Sequence, residues 1–313
     1  MKPRRAEPGC IRYVSILMNV FLQGMRRSGT TVFFDMFLSD GRFACFYEPL
    51  ARMHRPSIGG GSGLRNVDLF ASARSRRNDF MRRWKVTERD MNAGAPLNPE
   101  TEFTTELPVH AEAFLKELVS AEGPVVIKFT RMAARLPILF GLDSNATLLH
   151  LVREPRSVVT SHLAGHERKR GFAAGDDFFG FAERGKNWSS YYLADSLLDD
   201  AEREQLGALS DVERCLLVWR ESFRRTHQDG KALFGDRYRL LRQEDFVANP
   251  RRCVEEIFEL LSLPPRQGTL DWAAASVRKS EPAFAPDDAR WKEAATRLGM
   301  GAELEAAGYQ FVE

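Results

Sequence analysis

Two short segments carry residue types and spacings suited to gripping anions. The first, Gly24-Met25-Arg26-Arg27-Ser28-Gly29-Thr30-Thr31, spaces its glycines as in a nucleoside-triphosphate loop, GxxxxGK[ST]. Such a loop turns backbone N–H groups toward phosphate at the positive end of a helix. Here the lysine position holds Thr30. Kinases and NTPases use that lysine on the β- and γ-phosphates and the next hydroxyl on magnesium, so its loss speaks against γ-phosphoryl transfer. No apolar strand ends in the aspartate that would help hold magnesium. What remains is a cradle of hydroxyls at Ser28, Thr30 and Thr31 with cations at Arg26 and Arg27. It suits a phosphosulfate, which carries less charge than a triphosphate and needs no metal. An ordinary tight turn containing Gly and Thr is the alternative reading.

The second segment, His150-Leu151-Val152-Arg153-Glu154-Pro155-Arg156-Ser157-Val158-Val159-Thr160-Ser161, reads as a strand end, a turn and a helix. Arg153 falls at the carboxyl end of the strand, where open α/β sheets bind ligands. Ser161 lies about two turns into the helix. An arginine and a hydroxyl so placed can clamp a second phosphate. The alternative is that Arg153 pairs with Glu154 or another surface carboxylate.

Positioning these groups requires alternating strands and helices. The run 13–22, closed by Gly24, reads as a central parallel strand. Thr31–Leu38 follows as a helix. Val125–Phe129, after Gly123-Pro124, and Thr147–Val152, before Glu154-Pro155, read as strands, with a helix over Ser157–Leu163. A long helix over Asp211–Asp229, a strand over Tyr238–Arg242 and an amphipathic helix over Pro250–Leu261 complete the pattern. Strands alternating with helices imply a three-layer α/β/α fold with a central parallel sheet. Two stretches, 52–79 and 165–187, read as irregular, either solvated insertions or a lid over an anionic ligand.

The 313 residues carry 45 Lys plus Arg against 43 Asp plus Glu, a net charge of +2, so any positive field is local and no nucleic-acid partner is expected. One domain over 1–313 is expected, with a core over about 12–265 and a helical extension over 266–313. Four widely spaced cysteines form no CxxC pair, which suits a reducing compartment. The apolar run 14–22 is too short to span a membrane and lacks a small-residue cleavage site after it. A cytoplasmic location without a membrane span is therefore expected.

Together these segments resemble the PAPS-dependent sulfotransferases (PAPS, 3′-phosphoadenosine 5′-phosphosulfate), whose P-loop-like fold the chain is expected to share. The similarity covers about residues 18 to 263. Gly24–Thr31 looks like the family's 5′-phosphosulfate loop, and Arg153 with Ser161 like its Arg-x7-Ser element for the 3′-phosphate. Arg239–Pro250 is similar to a third family segment, and Tyr309 after Gly308 echoes a common ending. Phe46-Tyr47-Glu48-Pro49-Leu50 looks like the carbohydrate O-sulfotransferases, which points to a carbohydrate or glycoconjugate hydroxyl as acceptor. The protein-tyrosine sulfotransferases also place a glutamate, their base, at about this distance.

By that resemblance Glu48 is the candidate base, Arg27 the leaving-phosphate stabiliser and Lys128 a contact for the sulfonate. PAP is the product and no metal is implied. The alternatives are that Glu48 pairs with Arg27 or Arg52, that Lys128 is a surface lysine, and that Thr31 merely caps its helix. The Lys-Thr-His of the cytosolic small-molecule enzymes is missing; Lys128-Phe129-Thr130-Arg131 stands there. A small alcohol, phenol, lipid or peptidyl natural product is therefore the alternative acceptor. A nucleotide-binding kinase and an inactive PAPS-binding protein are the other readings. His162 and His166 have the spacing of a zinc pair but no third ligand. His54 on the acceptor side, and Trp188, Tyr191 and Tyr192 against a sugar ring, are further contacts to weigh.

Overall fold

The computed structural model describes residues 18–51, 69–92, 102–164, 177–184, 194–277 and 286–310. Its centre is a five-stranded sheet built from β1 (Val20–Gln23), β2 (Ala44–Tyr47), β3 (Val125–Phe129), β4 (Thr147–Val152) and β5 (Tyr238–Arg242), in the order β2-β3-β1-β4-β5. Every pairing is parallel. β1, β3 and β4 are buried along their whole length, as apolar runs covered on both faces must be. β5, an edge strand, is only half-buried.

Parallel neighbours need helical crossovers, and these form the outer layers. We label them α1 (Thr30–Asp40), α2 (Ala71–Trp84), α3 (Val109–Val119), α4 (Leu136–Leu142), α5 (Pro155–Leu163), α6 (Asp211–Asp229), α7 (Gln243–Ala248), α8 (Pro250–Leu260) and α9 (Gln267–Ser276). Alternate strand residues feed two cores. Phe21, Phe46, Ile127 and Leu148 pack with α3 and α4, whereas Val20, Leu22, Val126 and Leu149 pack with α1 and α8. A third apolar cluster joins α5 and α6 to the final helices. Among the described residues, no helix is long and apolar enough to cross a membrane.

Two expectations need correction. The stretch 52–79 is not irregular throughout: 52–68 lies outside the described residues, but Ala71–Trp84 is helical. In 165–187, residues Phe178–Arg184 are helical and 165–176 and 185–187 lie outside the described residues. β2 was not anticipated as a strand at all. Residues 13–17, His54, His166, Trp188, Tyr191 and Tyr192 lie outside the described residues.

Candidate active site

The sequence-predicted groups converge on the carboxyl edge of the sheet, where parallel α/β sheets bind ligands. The loop 24–29 leaves the end of β1 and enters α1. Each of its glycines has its own steric reason. A Cβ on Gly24 would lie 2.4 Å from the Leu151 carbonyl oxygen of β4. Gly29 has φ +81°, and a Cβ there would lie 1.9 Å from Gln243 Oε1. A larger side chain would therefore displace β4 at Gly24, whereas at Gly29 it would push the Gln243 side chain aside and be strained by the positive φ. Arg27 has φ 72°, so the loop holds two left-handed residues. Only four non-glycine residues among those described have positive φ: Arg27, Glu48, Lys85 and Ser262. Such strain of about 1–3 kcal/mol persists where surroundings impose it, and it clusters at ligand clamps. Two of the four are site candidates.

Ser28 and Thr30 are buried beneath the loop, Arg26 is half-buried and Arg27 is exposed. The helix begins at Thr30, one residue earlier than expected, and its N-cap is Gly29 without a side-chain cap. Thr31 is therefore not the cap; its hydroxyl is 3.0 Å from the Tyr47 hydroxyl.

Arg153 follows β4. Its Nη1 donates to the Arg27 carbonyl at 3.4 Å, so the second segment abuts the first. The Arg153 carbonyl accepts from Trp219 Nε1 at 3.1 Å, which ties the turn to α6. Glu154 is occupied elsewhere. Its carboxylate caps α5 through the amides of Arg156 and Ser157 and binds Arg156 Nε at 2.5 Å. Ser161 stands half-exposed in the second turn of α5. His162, beside it, is buried. Burial and the charges of Arg26, Arg27 and Arg131 hold its imidazole well below its usual pKa, so it is neutral. Among the described residues, no group of three or more His, Cys, Asp or Glu could hold a metal ion.

The catalytic candidates lie at the ends of β2 and β3. Glu48 Oε1 accepts from Lys128 Nζ at 2.7 Å and from Thr130 Oγ1 at 2.6 Å, and the Glu48 amide donates to the Lys128 carbonyl at 2.9 Å. Lys128 Nζ also lies 4.2 Å from the centroid of the Tyr47 ring. Lys128 is thus no surface lysine, and Glu48 pairs with this lysine of the neighbouring strand; Arg52, the other partner considered, lies outside the described residues. Burial would raise the Glu48 carboxyl. Lys128, Thr130 and Arg131 outweigh it and hold the group below the usual carboxylate value. Glu48 is therefore ionised at neutral pH and competent to accept a proton.

Sequence reasoning gave no role to Tyr47, Thr130, Arg131 or Glu102. Thr130 and Arg131 follow the carboxyl end of β3, and that position was the signal available. Glu102 is buried, and the groups acting on its carboxyl include Arg131, Arg26 and Glu48, which makes it a neighbour of the same cluster.

The family model described as "Sulfotransferase family" matches residues 19–267. Sulfotransferase STF9 from Mycobacterium avium is similar in structure, with a TM-score of 0.52 at 14% identity over 94% of this chain and 78% of that one. The sulfotransferase domain of the Synechococcus PCC 7002 olefin synthase aligns with 99% of this chain and 98% of its own at 17% identity, with a TM-score of 0.48. A search of curated proteins found no match. The α/β/α architecture with its all-parallel sheet is that of the sulfotransferase fold.

Proposed function

The chain belongs to the sulfotransferase family, and from that premise we propose that it transfers a sulfuryl group from PAPS to a hydroxyl, with a carbohydrate or glycoconjugate as acceptor. The observation that supports the reading best is the contact between Arg153 and the Arg27 carbonyl, by which the two segments proposed to bind anions touch. The loop 24–31 would take the 5′-phosphosulfate, through Arg26, Arg27, Ser28, Gly29, Thr30 and Thr31. Arg153 and Ser161 would take the 3′-phosphate of the same nucleotide.

In the transfer, the acceptor oxygen bonds to sulfur as the bond from sulfur to the phosphate oxygen breaks. By analogy with phosphoryl transfer, the protein's task is positioning and charge stabilisation. Glu48 takes the acceptor proton. Lys128, hydrogen-bonded to Glu48 and set over the Tyr47 ring, would steady that carboxylate and contact the transferring sulfonate. Arg27 and the loop amides stabilise the leaving phosphate as preorganised donors.

The carbohydrate acceptor rests on the likeness of Phe46–Leu50 to carbohydrate O-sulfotransferases. The test is transfer from sulfur-labelled PAPS to a panel of mono- and oligosaccharides, phenols, aliphatic alcohols and hydroxypeptides. Label on the saccharides above all others is expected. Label on phenols or aliphatic alcohols instead would replace the acceptor class and leave the donor reading intact. Turnover of ATP with magnesium and none of PAPS would return the chain to phosphoryl chemistry.

A further inference from the structure

Three cationic side chains lie at strand ends on this edge: Lys128 next to the final residue of β3, Arg131 just after β3, and Arg153 just after β4. Lys128 is committed to Glu48, and Arg153 touches the loop backbone. Arg131 differs. Its side chain is 10% exposed and that of Glu102 is 7% exposed, and Arg131 Nε stands 3.4 Å from Glu102 Oε2. Neither of these two atoms has a hydrogen-bond partner among the described residues. A buried guanidinium ordinarily spends its donors on acceptors around it. Arg135, four residues on, does so with the Glu106 carbonyl at 3.0 Å and Thr104 Oγ1 at 2.9 Å.

The backbone beneath Arg131 is fixed from two sides. The amide of Met132 donates to Gln23 Oε1 at the end of β1 at 3.2 Å. The amide of Arg135 donates to the Met132 carbonyl at 2.9 Å. Thr130, the preceding residue, donates to the candidate base. Arg131 therefore pairs with Glu102 and follows the residue that holds Glu48, and its charge acts on Glu48 and, with those of Arg26 and Arg27, on His162. Burial holds the Glu102 carboxyl above the usual value although Arg131, Arg26 and Arg135 pull it down. The ion pair with Glu102 is loose, 3.4 Å without a hydrogen bond between the two atoms, so the guanidinium's N–H donors are not spent on that carboxylate and can serve a second anion.

We propose that Arg131 is a further catalytic residue, whose guanidinium, steadied by Glu102, binds the oxygens of the sulfonate being transferred. The proposal rests on the donor reading above and extends it to the reacting group, where Lys128, hydrogen-bonded to Glu48, would be its neighbour. During transfer Arg131 stays protonated: the acceptor proton passes to Glu48, and the N–H donors of Arg131 remain on sulfonate oxygens before and after the S–O bonds exchange.

PAPS and PAP differ only in that sulfonate, so paired affinities for the two test the assignment without an acceptor. In Arg131→Ala, PAPS affinity should fall about 10- to 100-fold, the worth of one charged hydrogen-bonding group, while PAP affinity moves by less than about 3-fold. Arg131→Lys, which keeps the charge but not the planar fork, should give an intermediate PAPS loss; it decides the matter if the alanine variant does not fold. Equal loss for both nucleotides, or no loss for either, would overturn the proposal. Wild-type protein binding neither nucleotide would instead bring down the donor reading beneath it.

Discussion

In Glu48→Gln, turnover should fall by about 100- to 10,000-fold, the usual contribution of a positioned general base, while affinity for PAP stays within a small factor of wild type. The side-chain amide keeps the shape and one acceptor oxygen for Thr130 and Lys128 but cannot take a proton. It also removes the negative charge beside a lysine that is 3% exposed, so the variant should melt lower as well. The measurement that separates catalysis from folding is turnover at a temperature where both proteins are folded, set against PAP affinity. Retained turnover would remove Glu48 from the mechanism. Loss of turnover and PAP affinity together would assign it to architecture alone. The pH dependence follows from the same geometry. Because the folded-state carboxyl lies below its ordinary value of 4.5, its stabilising pair with Lys128 is complete above that value. The stabilisation is lost only as pH falls further, through the folded-state pKa. Turnover should accordingly show no acid limb from this group near neutrality.

Arg153→Ala should weaken PAP by about 10- to 100-fold, the scale of charge-assisted hydrogen bonds to a phosphate. Adenosine 5′-phosphosulfate, which lacks the 3′-phosphate, should be bound nearly as in wild type. The second ligand is needed because Arg153 also donates to the Arg27 carbonyl. If the variant merely loosened the loop, both ligands would suffer equally, and the 3′-phosphate assignment would fall.

Much of this site was legible because its elements announce themselves locally. β3, β4, β5 and α6 occupy the spans their apolar runs and flanking breakers indicate. The loop glycines and Arg153 were readable because strand ends of an α/β sheet have known uses. Where local signals were weak, tertiary structure decided. β2 is four residues long and carries Cys45 and Phe46 between a glycine turn and Glu48-Pro49, too short a run to show a period. α2 looked like a solvated arginine-rich loop. Its buried stripe is Ala73, Arg77 and Phe80, with an arginine where an apolar residue would signal a helix. Arg77 is buried because it donates to the carbonyls of Pro49 and Ala51 and pairs with Glu88 at 2.9 Å. Lys128 could be read as strand but not as buried, since its partner Glu48 lies 80 residues away in the chain. Glu102 and Arg131 meet only through the fold, and neither has a motif around it.

The central claim is that one bisphosphorylated nucleotide spans the loop and the arginine clamp, and the most direct measurement is the melting temperature of the wild-type protein with and without PAP. A ligand bound only by the folded chain stabilises it by about 2.7 kcal/mol at 100 times its dissociation constant, enough for a rise of several degrees. That rise is expected with PAP and should be much smaller with AMP, which lacks the 3′-phosphate. An unchanged melting temperature at millimolar PAP would contradict the account.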